Sequence, residues 1–170
     1  MASQLLDGNK SRFSGRRDHL IKQAEKALYA SKITSYAQGF ALLKSASTEY
    51  SFGFNHADIT RIWRAGCIIR AAMLDDIAGA FSEEPKLSNL MLHNVFREVI
   101  SGSQSAWRKA VKTAVDLGIS MMATSASLAY FDAYRSARLP ANLIQAHRGF
   151  FGAHTYRRVD GGGVFHTQWE

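Results

Sequence analysis

Residues 18–48 contain no proline and only one glycine, Gly39. Little in that stretch would stop a helix, because the two residues that interrupt one most strongly are nearly absent. Ala24, Leu28, Tyr36, Phe40 and Leu43 recur at steps of three, four or eight, which places them on one side of a 3.6-residue period. Asp18 is positioned to cap the start. The pattern predicts a helix of roughly thirty residues, longer than most globular helices, and so a central packing element or an unusually long hairpin partner. Ala27, Ala30, Ser31, Ser35, Ala37 and Gly39 would let a neighbouring helix approach closely.

Shorter helical segments follow. A turn over residues 50–55 precedes a short helix running through Asp58 to Arg64, which resumes beyond Gly66 through Ile68, Ile69, Ala72, Met73 and Ile77. Pro85 forces a break. Further helices are expected from Ser88 to Val99, after the stretch SGSQSAW (101–107) as far as Gly118, and from Met121 to Ala137. Pro140 marks the first turn of the last one, with glycine turns at Gly149 and Gly152. No convincing strand run appears. The expected fold is all-α: a multi-helical domain with one long central helix and an extended C-terminal tail. Residues 1–17 read as a flexible leader, 18–158 as the helical body and 159–170 as the tail.

Composition removes several function classes. The net charge of +7 would suit nucleic acid, an anionic membrane surface or small phosphorylated ligands. The positive residues are dispersed, however, which favours a basic surface over one dedicated groove, and no nucleic acid is expected as a partner. No apolar run of about 18 residues is present, and residues 1–13 lack the apolar core of a signal peptide, so no membrane partner and a cytoplasmic location are expected. Cys67 is the single cysteine; it allows no internal disulfide and, between Gly66 and Ile68, reads as a buried core thiol. Neither HExxH nor a cysteine pair offers a metal site, and GxGxxG is absent. Asp75 and Asp76 are adjacent on a helix and diverge, which makes a poor carboxylate dyad.

The stretch RLPANLIQAHRGFFGAH (138–154) is different. It ends on a guanidinium, Arg148, and an imidazole, His154. A planar guanidinium can grip a phosphate or carboxylate with two hydrogen bonds, and an imidazole can add a third. Helix-end capping or a salt bridge between subunits is the alternative use of the same pair. Beyond them, Gly161, Gly162 and Gly163 form a hinge before Phe165, His166 and Trp169. Large aromatics at a chain end are unfavourable in water, so this tail is expected to dock on its own body or on a partner subunit.

Five separated segments carry a family resemblance: KALYASKITSYAQGFALL (26–43), IWRAGCIIRA (62–71), AYFDAYRSARLPANLIQAHR (129–148), FGAHTYRRVD (151–160) and VFHTQW (164–169). In order and spacing the chain resembles decarboxylating 6-phosphogluconate dehydrogenase. The resemblance implies the second part of a large helical domain plus its tail, belonging to a homodimer held by both. It further implies an N-terminal Rossmann domain for NADP, missing here, and 6-phosphogluconate as substrate, oxidised at C3 and decarboxylated to ribulose 5-phosphate. The family's catalytic lysine and glutamate lie upstream, so no catalytic residue and no cofactor site are expected in this chain, which alone would be inactive. Arg148 and His154 match the family's R-x-x-F-G-A-H pattern and are implied to reach the neighbouring subunit's site and hold the substrate phosphate. Two departures stand out: Gly149 and Phe150 replace an acidic residue and a tyrosine, and Gly161–Gly163 replace a charged or Pro-Gly connection. A helical dimerisation or interaction module without catalysis is the alternative function.

Overall fold

A computed structural model describes residues 1–169, apart from the side chain of Ser3. Among the described residues the regular elements are helices: α1 (Ala2–Leu5), α2 (Arg17–Glu49), α3 (His56–Arg64), α4 (Met73–Glu83), α5 (Asn94–Asp116), α6 (Met122–Arg135) and α7 (Asn142–Gly152), with a single 3-10 turn at Leu90–Leu92. The fold is all-α, as its pattern predicts. The chain forms two compact units, Met1–Phe131 and Asp132–Glu170.

In the first unit α2 is the long helix, 33 residues. Its cap is Arg16 rather than Asp18; Asp18 sits in the first turn, where its carboxylate meets the Arg16 guanidinium at 2.7 Å. That guanidinium holds the exposed Asp18 carboxyl below its usual range. The buried residues of α2 are Ala27, Ala30, Ser31, Ile33, Thr34, Ala37 and Phe40. Leu28, expected on the inner side, is 61% exposed, and Ala24 is exposed too. Leu28 lies one position, about 100° of helical turn, beyond Ala27.

The α2 stripe is made of small residues because α5 lies against it. From α5 come Phe96, Ile100, Ser103, Trp107, Ala110 and Ala114, all buried at steps of three or four. Trp107 is wholly buried and packs with Ala27, Ala30 and Ala110. Two hydroxyls inside this seam stay satisfied by bonding back one turn, Ser31 to the Ala27 carbonyl at 2.7 Å and Thr34 to that of Ala30 at 2.9 Å. The sequence SGSQSAW therefore continues α5 rather than separating two helices. Burial of Ser103 and Trp107 outweighs the weak helix propensity of serine and glycine.

A second cluster joins Ile33, Phe40, Leu74, Ile77, Phe81, Leu90, Phe96 and Ile100. Asn55 caps α3 by accepting from the amides of Ala57 and Asp58 at 3.0 and 3.3 Å, and Asp58 lies in the first turn. Residues 65–72 do not resume the helix. Gly66 adopts a left-handed φ of 73°, which favours glycine, and the Tyr36 hydroxyl donates to the Ile69 carbonyl. Cys67 in this connection is only partly buried, not a core thiol. Helix α4 stops before Pro85 as expected.

Candidate functional site

The second unit carries both expected site residues. Helix α7 begins at Asn142, past Pro140, so the proline lies outside the helix and not in its first turn. Gly149 is buried inside α7, and Gly152 is its last residue; neither is a turn. The chain reverses at Ala153, whose left-handed φ of 52° is stabilised by its amide donating to the Gly149 carbonyl at 3.0 Å.

That reversal sends His154 back over the helix end. Its ring lies against Gly152, where a Cβ would meet Cδ2 at 3.0 Å and Nε2 at 3.2 Å. Its carbonyl and the Trp169 indole lie over Gly149, 3.4 and 3.6 Å from the position a Cβ would take. Both glycines are thus spacers that let the following segment close on α7.

Residues 155–169 form a small hairpin-like cap. Tyr156 and Phe165 exchange backbone hydrogen bonds of 2.9 Å each, and the hydroxyls of Tyr156 and Thr167 are 3.0 Å apart. Gly163, at φ 105°, belongs to the turn between them. Arg158 grips Asp160 with two bonds, of 2.8 and 2.6 Å. Each holds the other charged: Asp160 is pulled below its usual range, and Arg158 is raised. Trp169 meets Phe150 edge to face, ring centres 5.9 Å apart. The tail aromatics Phe165 and Trp169 thus contact their own unit.

Between α7 and this cap opens a cavity of about 850 Å³, its wall including Arg138, Gln145, His154, Tyr156, Arg157 and Trp169. The wall also carries apolar side chains and the Asp160 carboxylate, which Arg158 pairs; its cationic and hydrogen-bonding groups are what an anion would meet. His154 faces it. Arg148 is not part of that wall; it is exposed one turn from the helix end, its Nη1 donating to the Gln145 Oε1 at 3.1 Å. Gln145 in turn donates from Nε2 to the Thr155 carbonyl at 2.7 Å. The structure therefore places Arg148 and His154 at the same end of α7, with Gln145 linking Arg148 to the Thr155 carbonyl next to His154 and no direct bond between the two among the described contacts. Gln145 escaped the sequence reading. A glutamine carries no chemical signature, and its value depends on a chain reversal that Ala153 does not announce.

Among the described residues no three His, Cys, Asp or Glu side chains gather as metal ligands, and no helix is long and apolar enough to cross a membrane.

Comparison with known proteins agrees over nearly the whole chain. The family model for the C-terminal domain of 6-phosphogluconate dehydrogenase matches residues 1–169. Decarboxylating 6-phosphogluconate dehydrogenase of Synechococcus elongatus is 51% identical over 169 residues, and that of Escherichia coli K12 is 48% identical over 168; each alignment covers 99% of this chain and 36% of the relative. The NADP(+)-dependent decarboxylating enzyme of Bacillus subtilis is also 48% identical, with the same coverage. A solved structure of Plasmodium falciparum 6-phosphogluconate dehydrogenase superposes with a TM-score of 0.87 at 43% identity, covering 99% of this chain and 36% of that one. The chain thus spans about 36% of the length of the curated relatives it matches. It belongs to the 6-phosphogluconate dehydrogenase family and carries that family's C-terminal domain.

Proposed function

We propose that this chain serves as the C-terminal domain of an NADP-dependent 6-phosphogluconate dehydrogenase. The enzyme would transfer a hydride from C3 of 6-phosphogluconate to NADP and release carbon dioxide from the resulting 3-keto acid, leaving ribulose 5-phosphate. NADP binding and the acid–base groups would be supplied outside these 170 residues, which by themselves would not turn over substrate. Arg148 and His154 would hold the substrate phosphate in the neighbouring subunit's site, the guanidinium with two bonds and the imidazole with one. In this arrangement residues 1–17 form a leader, 18–158 the packing body and 159–170 an arm reaching the partner of a homodimer, in the cytoplasm.

The observation that carries this reading is the helix end of α7. Two glycine spacers and the reversal at Ala153 put an imidazole on the cavity wall, with an exposed guanidinium one helical turn away. Gly149 and Phe150 stand in place of an acid and a tyrosine; Gly149 gives room to Trp169, and Phe150 packs on it. Neither contact involves Arg148 or His154 side-chain polar atoms.

The test is reconstitution. The 170-residue chain is mixed with the Rossmann-containing remainder of the enzyme, and NADPH formation from 6-phosphogluconate is followed. Activity should need both pieces and fall at least a hundredfold with Arg148→Ala, on the order of 3 kcal/mol for a lost charged contact. Full activity of Arg148→Ala would remove it from the substrate site. Dimer formation without recovered NADPH would leave the helical interaction module as the better description.

A further inference from the structure

Gln145 has both ends of its amide engaged, and the two partners belong to different parts of the site. Its Oε1 accepts from Arg148 Nη1 at 3.1 Å, and its Nε2 donates to the backbone carbonyl of Thr155 at 2.7 Å, the residue next to His154. Spacing along α7 makes the first bond possible, since residues three apart share a face. The reversal at Ala153 makes the second possible by returning the chain beside that face. Gln145 is half-buried and lines the cavity that His154 faces. An arginine on an exposed helix face otherwise samples many rotamers, and each ligand would have to freeze them.

We propose that Gln145 is a positioning residue: it fixes the Arg148 guanidinium relative to the segment that carries His154, so that both donors are presented together before an anion arrives. This rests on the reading of Arg148 and His154 as the phosphate contacts. Gln145 itself touches no phosphate; it acts through Arg148. A carboxylate at 145 could accept from Arg148 but could not donate to Thr155, and it would compete with phosphate for the guanidinium. An aliphatic chain of equal length would do neither. The neutral amide alone meets both demands.

Nuclear magnetic resonance of the full 170-residue chain, with arginine side chains labelled, tests this. The probes are inorganic phosphate and then 6-phosphogluconate. In the unaltered chain the Arg148 guanidinium should show restricted rotation without ligand. Gln145→Met keeps length and packing but removes both bonds. It should free the guanidinium and weaken the phosphate response of Arg148 about fivefold, the worth of one modest hydrogen bond. The Tyr156 and Phe165 amides should stay protected, because their own paired bonds are intact. Gln145→Glu should restore the ordered guanidinium signal but not the phosphate affinity. An unchanged Arg148 signal in Gln145→Met would overturn the proposal. So would loss of Tyr156 and Phe165 protection in both variants, which would make Gln145 a staple of the cap only. Should phosphate not shift Arg148 in the unaltered chain, guanidinium order alone decides the role of Gln145, and the phosphate reading is decided by Arg148→Ala in the reconstituted enzyme.

Discussion

At the scale of single residues the site depends as much on what is missing as on what is present. Gly152 has no left-handed backbone angle; what limits it is the His154 ring, which a side chain there would crowd at 3.0–3.2 Å. Gly152→Ala should therefore displace the imidazole, changing the His154 resonances and weakening their response to phosphate. Global stability should hold or rise by a few tenths of a kcal/mol, since alanine is the better helix former. Unmoved His154 resonances would show that the ring has room to spare. His56 gives a second prediction. Its ring lies near Phe40 and Phe81, 6.0 and 5.2 Å between centres, and Nε2 is buried without a partner. Burial first, and the Lys44 charge second, push its pKa below the ordinary 6.5. The unfolded chain then binds the proton more readily, so stability is full above pH 6.5 and declines as pH falls from there toward the lowered folded value. Urea midpoints should drop across that interval, and His56→Leu should drop less; equal slopes would acquit His56. Arg148 and His154 stand out as a candidate pair by residue type and the R-x-x-F-G-A-H spacing, and both lie at the α7 end. The glycine contacts and Gln145 were not legible, because they exist only once the chain has doubled back.

For the helical elements, the long α2 could be read from its lack of breakers, yet its inner face could not be read from its large apolar residues. Leu28 points outward and the alanines inward, because what α5 demands is closeness rather than bulk. Sequence patterning weights large side chains and so selected the wrong side at that end of the helix. The same bias split α5, whose serines and glycine looked like a connection. Gly102 tests the continuous helix: it is exposed in the interior of α5, with nothing within 4 Å of an added Cβ. Gly102→Ala should raise the unfolding free energy by up to about 1 kcal/mol, as in any open helix interior. A neutral or negative change in a denaturation series would argue against a regular helix there. Trp107→Ala, by contrast, should lower it by about 3–5 kcal/mol, leaving a void between two alanine-lined helices that cannot easily collapse.

Several large apolar side chains are exposed in each unit, among them Leu42 at 70% and Leu143 and Phe151 at 80% and 74%. Sedimentation should accordingly show concentration-dependent pairing, weakened when residues 159–170 are removed; a monomer at every concentration would contradict the proposed homodimer. The all-α class and the family were legible because several long segments stand in order, a property of the full length that no local ambiguity at residues 65–72 or 101–107 could erase. The alanine seam between α2 and α5 also constrains inheritance. At Ala27, Ala30 and Ala110 almost every available mutation adds volume, and Trp107 leaves none free. Change there is admissible mainly in pairs, a larger residue on one helix arriving with a smaller one on the other. Descendants of this sequence should therefore drift freely on the outer faces of both helices, while the seam alters rarely and in coupled steps.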